Sequence, residues 1–232
     1  MILLSEVFGP TIQGEGAGIG EPTVFVRTAG CDFRCAWCDT LHAVDKSHRG
    51  DWYERSADAV LAEIEQLSGG QPLLVTISGG NPATQDLTRL IQLGQEKGYR
   101  FAVETQGSVA APWFGLLDMM TLSPKPPSSK MRFSRDRFEN SLLRAGDKPD
   151  VSLKIVIADE DDLDWAGELK ARYPQLPLFL QVCNTQLNGD PDQSKIAADM
   201  RWLVDQVMAR QWYDVKVLPQ LHVYLWGNAL GV

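Results

Sequence analysis

Three cysteines fall within eight residues, Cys31, Cys35 and Cys38, in the segment Gly30–Cys31–Asp32–Phe33–Arg34–Cys35–Ala36–Trp37–Cys38–Asp39–Thr40, while Cys183 stands alone. A C-x3-C-x2-C spacing brings three thiolates around a loop small enough to hold one metal group. A structural zinc normally takes four protein ligands, and an ordinary iron–sulfur cluster takes four cysteines. Three thiolates with no near fourth leave one iron of a cluster open to a substrate or cofactor. Zinc completed by His42 or His48, Cys183 as a distant fourth ligand, and disulfides are the other readings of the same residues. Nothing in the chain suggests export, so thiols this close read as metal ligands rather than bridges. Cys183, at the end of an apolar run, reads as a small buried hydrophobe.

A second group of residues sits at the ends of other apolar runs. Ser78–Gly79–Gly80–Asn81–Pro82 closes one of them with two glycines, which let the backbone approach a ligand and leave N–H groups free. Thr105–Gln106–Gly107 follows another. Ser123–Pro124–Lys125–Pro126–Pro127, continuing to Lys130, is a stiff, extended, basic stretch, either a surface linker or part of a ligand rim. Gln181–Val182–Cys183–Asn184 occupies an equivalent rim position.

The elements that must position these residues alternate. Strands are predicted at Thr23–Thr28, Leu73–Ser78, Tyr99–Glu104, Met119–Leu122, Val151–Ile157, Leu178–Val182 and Asp214–Leu218. Most are too uniformly apolar to have a wet face, which suits a buried parallel sheet. Helices are predicted from the N-cap Ser56 to the Gly69–Gly70 stop, over Thr84–Lys97, over Asp161–Arg172, and over Gln193–Gln211, whose Ile196, Met200, Leu203, Val204 and Val207 form an inward stripe. Such alternation gives an α/β fold with right-handed crossovers. With about six βα units, 232 residues suit a partial, incomplete parallel βα barrel better than a closed eight-unit one. Ligands then gather at the C-terminal ends of the strands, where the residues above lie.

Composition is that of an ordinary globular chain, 44% apolar and 22% charged, read here as a single domain over 1–232. A net charge of −8 argues against a protein built to grip phosphate backbones. No apolar run approaches the ~20 residues needed to span a bilayer, and the N-terminus lacks a leader pattern. A cytoplasmic chain with no membrane or direct nucleic-acid partner is the expectation.

The cysteine triplet is characteristic of the radical S-adenosylmethionine superfamily, and Gly79–Gly80 resembles that superfamily's Gly-Gly-Glu element, with Asn81 where glutamate is usual. From end to end the sequence resembles the 7-carboxy-7-deazaguanine synthases, radical S-adenosylmethionine enzymes of queuosine biosynthesis. The resemblance rests on Phe8–Gly9–Pro10–Thr11–Ile12–Gln13–Gly14–Glu15–Gly16, Phe25–Val26–Arg27, Cys38–Asp39–Thr40 and Ser123–Pro124–Lys125. It extends to the ending Leu218–Pro219–Gln220–Leu221–His222 with Leu225–Trp226–Gly227–Asn228.

What the resemblance implies is a carbon–nitrogen lyase that contracts the ring of 6-carboxy-5,6,7,8-tetrahydropterin to 7-carboxy-7-deazaguanine with loss of ammonia. A 5′-deoxyadenosyl radical, made by reductive cleavage of S-adenosylmethionine and regenerating it, carries the chemistry, so no side chain is expected to be catalytic. The implied 4Fe-4S ligands are Cys31, Cys35 and Cys38. S-adenosylmethionine would meet Trp37 (beside the adenine), Cys38, Asp39, Gly80, Ser123, Pro124, Lys125, Gln181, Val182, Cys183 and Asn184. The substrate would meet Ile12, Gln13, Gly14, Glu15, Arg27, Ser78 and Val232.

Within that scheme Arg27 offers a planar fork for a carboxylate, or a structural ion pair. Thr40 offers a hard oxygen to Mg²⁺, or a helix cap. Gly14 and Gly16 would serve the substrate loop or only a hairpin, and Glu104 would touch substrate or only a neighbouring lysine. Residues 1–22 form the implied substrate loop, 30–55 the cluster-binding loop, and 218–232 a tail that closes the site with Gln220, His222 and the terminal carboxylate. The implied partners are a reductant such as flavodoxin or ferredoxin and a second copy of the chain in a homodimer. An activase that makes a glycyl radical on a partner protein, and a non-catalytic metal-binding module, remain the competing readings.

Overall fold

The computed structural model describes residues 1–186 and 189–232. In chain order the elements are β1 (Ile2–Ile12), β2 (Pro22–Thr28), α1 (Leu41–Val44), β3 (Tyr53–Arg55), α2 (Ala57–Leu67), β4 (Leu74–Gly79), α3 (Thr88–Glu96) and β5 (Arg100–Thr105). Then follow β6 (Met119–Leu122), α4 (Arg135–Ala145), β7 (Asp150–Ile157), α5 (Glu160–Arg172), β8 (Leu178–Val182), α6 (Gln193–Ala209), β9 (Lys216–Leu218) and α7 (Leu221–Trp226). Among the described residues the strands form one sheet in the order β3-β1-β2-β4-β5-β6-β7-β8-β9. Every neighbouring pair from β2 to β9 is parallel, whereas β1 runs antiparallel to both β2 and β3. The two outer strands do not meet, so the barrel is open. The incomplete βα barrel expected from the sequence is present, with an antiparallel ribbon added at one edge.

That ribbon corrects one boundary. Residues 1–22 are not a single loop: β1 is an eleven-residue strand, and only the connection after Ile12 remains as loop. Its pairing with β2 slips between Leu4 and Glu6 and again between Phe8 and Thr11, and most of it is half-buried, so neither alternation nor an apolar run marks it. Similarly, α4 buries only Phe138, Ser141 and Ala145 and carries charge elsewhere, which hides its period. The stretch after Ser123 is not extended throughout, because Pro127–Ser129 makes a 3-10 turn and Lys130 adopts φ 61°. α3 begins at Thr88 rather than Thr84, since Pro82–Thr84 forms a turn of its own.

α2 and α5 start where a side chain caps them. Ser56 Oγ accepts from Ala59 N at 3.2 Å, and an Asp159 carboxylate oxygen accepts from Asp162 N at 3.0 Å, each occupying a donor the helix cannot satisfy itself. In α5 three acids open the helix and Lys170 and Arg172 close it, matching the helix dipole.

Side chains alternate across the sheet, and the parallel register lines up two different populations. One face carries Val24 and Val26, Val75 and Ile77, Phe101 and Val103, Met120 and Leu122, Leu153 and Ile155, and Leu180, all buried under the helices. Burying each large side chain contributes roughly 1.5–3 kcal/mol. The opposite face carries Arg27 beside Ser78, Glu104 beside Thr121, Thr121 beside Ser152, and Val156 beside Gln181. A polar inner face with an apolar outer face is what positions the site.

Candidate active site

The inner face, the loops beyond the strand ends and the chain's last residues enclose a cavity of about 460 Å³. Cys31, Cys35 and Cys38 all line it and none is in a disulfide. The loop that carries them leaves β2 and closes on the end of β4: Gly80 N donates to Thr28 O at 3.1 Å and Asn81 N to Gly30 O at 2.8 Å. A Cβ at residue 80 would sit 2.1 Å from Gly30 O. The second glycine is therefore required by the approach of the cysteine loop itself, and with it the loop is fixed against the sheet.

The thiols are half-buried. Burial pushes Cys35 up to about 11 against the pull of the Lys125 ammonium, and burial raises Cys31 as well, opposed by the Phe33 N–H. Cys38 Sγ lies 3.7 Å from Thr40 Oγ1. Thr40 precedes α1 without capping it, so its hydroxyl stays available on the cavity wall. Among the described residues no three Cys, His, Asp or Glu side chains converge on a single metal ion. His42 Nε2 is instead 3.2 Å from Glu6, and His48 pairs with Asp51 at 3.7 Å. Three thiols around one cavity with no converging fourth ligand suit a cluster several ångströms across better than one zinc ion. Cys183 also lines the cavity, and burial holds its thiol up at about 12, so it stays protonated.

Asn81 is fully buried and outside the cavity lining. Its Nδ2 donates to Asp32 Oδ1 at 2.8 Å and Ser108 Oγ at 3.2 Å, while its Oδ1 accepts from Thr105 Oγ1 at 2.8 Å and Ala83 N at 3.2 Å. It is used up as a brace between the cysteine loop and β5.

At the floor stands a residue the sequence did not single out, and it is the neighbouring lysine that Glu104 meets. Lys154 Nζ, on β7 and only 3% exposed, binds Glu15 and also Glu104 Oε1 at 2.6 Å. Burial alone would raise the Glu15 carboxyl, but the Lys154 charge and hydrogen bonds from Lys154 and Gln220 hold it well below the usual carboxylate range. Burial would lower the Lys154 ammonium, but the two glutamates hold it well above the usual lysine value. Gln181 Nε2 and Gln220 Nε2 also donate to Glu15 Oε1, at 3.1 and 2.8 Å. One cation thus fixes two carboxylates in the pocket. Lysines are almost never fully buried unless paired, so a lysine inside the apolar run Val151–Ile157 was the available signal.

Arg27 lines the cavity with its Nε on Glu6 Oε1 at 2.6 Å and its guanidinium 5.7 Å from the Phe8 ring centroid. Glu6, a second residue the sequence reading passed over, ties Arg27 and His42 together. Among the described residues, Ser78 Oγ and Gln181 Oε1, both on the cavity wall, are buried without a hydrogen-bond partner. Leaving such atoms unpaired costs about 1–3 kcal/mol each, so both are ready to receive a ligand.

Of the remaining expected residues, Ile12, Gln13, Gly14, Trp37, Asp39 and Val232 lie on the lining. So do Gly80, Lys125 and Asn184. Ser123, Pro124 and Val182 are buried beside it and do not line it; Ser123 Oγ instead accepts from Lys125 Nζ at 3.0 Å. Trp37 Nε1 donates to Ser128 Oγ at 2.8 Å, with Lys125 Nζ 5.9 Å from its ring. The chain's end lies across the mouth, where Leu221 N donates to Gly14 O at 3.0 Å. A Cβ at residue 14 would fall 2.3 Å from His222 Nδ1, so only glycine admits this contact.

Comparisons with known proteins agree with this geometry. Residues 25–120 match the Radical SAM superfamily. The 7-carboxy-7-deazaguanine synthase of Bacillus subtilis (strain 168) is 46% identical, covering 98% of this chain and 97% of the relative. That of Bacillus cereus is 41% identical with the same coverage, and that of Thermoplasma acidophilum is 32% identical over the whole of both chains. The crystal structure of QueE from Escherichia coli superposes with a TM-score of 0.68 at 25% identity, covering 95% of this chain and 94% of that one. Streptococcus suis SuiB bound to S-adenosylmethionine shares the fold alone, with a TM-score of 0.56 at 14% identity over 82% of this chain and 45% of that one.

Proposed function

This chain belongs to the 7-carboxy-7-deazaguanine synthase family of radical S-adenosylmethionine enzymes, and from that premise we propose how its residues divide the work. The reaction is the radical ring contraction of 6-carboxy-5,6,7,8-tetrahydropterin to 7-carboxy-7-deazaguanine with release of ammonia, in the deazapurine pathway that leads to queuosine. When bound, the 4Fe-4S cluster and S-adenosylmethionine together supply the adenosyl radical that takes and returns the substrate hydrogen.

Cys31, Cys35 and Cys38 hold the cluster. Trp37, Asp39, Gly80, Lys125, Gln181, Cys183 and Asn184 form the wall for S-adenosylmethionine, and the buried Ser123, Pro124 and Val182 support it. Arg27 binds the substrate carboxylate through the part of its guanidinium that Glu6 leaves free, and Thr40 would offer a hydroxyl oxygen to Mg²⁺. Glu15, kept ionised by Lys154, and Glu104, paired to the same ammonium, accept from the guanidine-like edge of the pterin. The backbone of Ile12–Gln13–Gly14 and the hydroxyl of Ser78 complete its outline, and the tail 218–232 excludes water above it. Such fixed contacts hold substrate and radical source in one reacting geometry.

The observation that carries this reading is the single cavity lined by both the three thiols and the paired carboxylates. Its volume falls in the range of small-molecule sites, which favours a pterin over a glycyl loop of a partner protein. A flavodoxin or ferredoxin supplies the electron. The chain works as a homodimer, supported by exposed Tyr224, Leu225, Trp226 and Leu230 on the tail and by the open sheet edges. A cytoplasmic setting suits the free thiols, and no described helix is long and apolar enough to cross a membrane.

The test is turnover by anaerobically reconstituted protein with dithionite, S-adenosylmethionine, Mg²⁺ and 6-carboxytetrahydropterin. Formation of 7-carboxy-7-deazaguanine is the expected result. Cleavage of S-adenosylmethionine with no substrate conversion would return the activase reading, and no cleavage at all would return the non-catalytic one.

A further inference from the structure

The chain as a whole is acidic, with a net charge of −8, yet the segment 125–137 carries Lys125, Lys130, Arg132, Arg135 and Arg137 against the single acid Asp136. Elsewhere, among the described residues, about half of the cations hold a carboxylate, Arg34, Lys97, Arg100, Lys170, Lys195 and Arg210 among them. Among the described residues the five cations of this segment hold none within 4.0 Å, and Lys130, Arg132, Arg135 and Arg137 are exposed. Their charge is therefore presented outward rather than neutralised.

The patch is rigidly set on the cysteine loop. Ala36 N donates to Ser129 O at 2.9 Å, Arg34 N lies 3.2 Å from Met131 Sδ, and Trp37 reaches Ser128. From below, Asp162 accepts from Ser128 N at 2.9 Å and Ser128 Oγ at 2.6 Å, and the Phe133 ring packs 5.4 Å from Trp165 and 5.6 Å from Phe138. A linker without function would not need such anchoring. A small cleft of about 30 Å³ beside the patch is lined by Arg132, Arg137, Lys125, Phe33 and Gln106. Gln106 Nε2 in turn lies 3.6 Å from Cys31 Sγ. The exposed charges are thus only a few side chains from a thiol of the cysteine triplet.

We infer that Lys130, Arg132, Arg135 and Arg137 form the docking face for an acidic one-electron donor protein that reduces the group held by the cysteines. The inference rests on the reading of Cys31, Cys35 and Cys38 as cluster ligands and adds the place and the charge of the partner's contact. One electron leaves the donor's redox centre, which is oxidised by one, and is accepted at the cysteine-bound cluster, which is reduced by one; no bond forms or breaks. A compact positive patch on a negative molecule selects a partner with a local acidic face, steers its encounter and keeps the contact short-lived. The excess of acidic residues over the rest of the chain repels a long polyanion, which disfavours nucleic acid.

The test compares the reconstituted wild-type enzyme with a variant carrying Lys130→Glu, Arg132→Glu, Arg135→Glu and Arg137→Glu. Acids in the first turn of α4 suit its dipole, so the fold is retained; a Lys130→Gln, Arg132→Gln variant serves as the milder control. Reduced flavodoxin and reduced plant-type ferredoxin are the probes, with dithionite as the protein-free reductant. With at least one protein donor, the reversal variant should raise the donor concentration for half-maximal rate by about tenfold or more, while its dithionite-driven rate matches wild type. Titration of the oxidised donor onto the resting holoenzyme, which needs no turnover, should show the same weakening, and salt should weaken wild-type binding more than the variant's. An unchanged donor requirement and affinity in the reversal variant would overturn the inference. So would an equal fall with dithionite, failure of both donors to bind wild type, or RNA binding lost in the variant while donor kinetics stay put. A wild-type enzyme inert even with dithionite would instead count against the cluster assignment, and the binding titration would still decide the docking face.

Discussion

The two faces of the sheet are built from the same strands and alternate residue by residue, yet they obey opposite rules. On the outer face Ile155 and its neighbours on adjacent strands are buried apolar side chains pressed against helices. On the inner face the adjacent residue, Lys154, is just as buried but is charged, and it is tolerable only because Glu15 and Glu104 surround it. The outer face is held by area removed from water, which is insensitive to chemistry as long as volume is kept. The inner face is held by a few specific pairs whose loss leaves a charge stranded. Stability and chemistry are therefore carried on opposite sides of one layer, separated by a single step along the strand.

The sharpest way to break that division is at the rim, where the inner face meets the cysteine loop. Cys35→Ala should abolish reductive cleavage of S-adenosylmethionine and lower the iron bound per chain, with the sheet still folded. Cys183→Ala, a buried neutral thiol, should retain cleavage. Iron content and 5′-deoxyadenosine formation check both.

Next in size is Lys154→Met, which leaves Glu15 and Glu104 without their cation. Breaking a buried pair in this way costs about 3–5 kcal/mol, and its pH dependence identifies the cause. In wild type the folded Glu15 carboxyl lies below its unfolded value of about 4.3, so its contribution is full above that value and fades as pH falls through the depressed folded one. In the variant burial raises the carboxyl instead, so stability falls as pH rises past the unfolded value. The gap between the two proteins should therefore be smaller at pH 4 than at pH 7, measured as melting midpoints at matched iron content. A gap independent of pH would show that Lys154 acts by packing alone.

On the other face, Ile155→Ala should cost about 2–5 kcal/mol through the cavity it leaves, with the same gap at both pH values. Smallest in its effect on the fold is Arg27→Lys, which keeps the charge and loses the planar fork. Loss of a charged hydrogen bond of about 1.5–3 kcal/mol should appear as weaker substrate affinity, while uncoupled cleavage of S-adenosylmethionine persists. Unchanged substrate affinity would leave Arg27 with only its Glu6 pair.

What could be read in advance follows the same division. The parallel strands were legible because their outer residues are apolar and continuous, and the cysteine loop because thiol spacing is a local property. β1 was not, since its bulged, half-buried residues give no period, and α4 was not, since it buries only Phe138, Ser141 and Ala145 while Leu143 is exposed among its charges. Asn81 stood out only as a departure from a motif; that it braces Asp32, Ser108 and Thr105 is a matter of tertiary contact. The Glu6–Arg27–His42 and Glu15–Lys154–Glu104 groups join residues from distant parts of the chain, which no window along the sequence brings together. The lone lysine in a buried strand was the one local trace of the second group.

The division of labour is tested most directly by the adjacent pair on β7. Turnover of 6-carboxytetrahydropterin should be measured per folded molecule in Lys154→Met and Ile155→Val at a temperature below both melting transitions. Ile155→Val, which costs about 0.5–1.5 kcal/mol of stability, should keep wild-type turnover and substrate affinity, whereas Lys154→Met should lose at least about tenfold in substrate conversion while still cleaving S-adenosylmethionine. Equal losses in the two variants, or full substrate conversion by Lys154→Met, would contradict the assignment of the chemistry to the inner face.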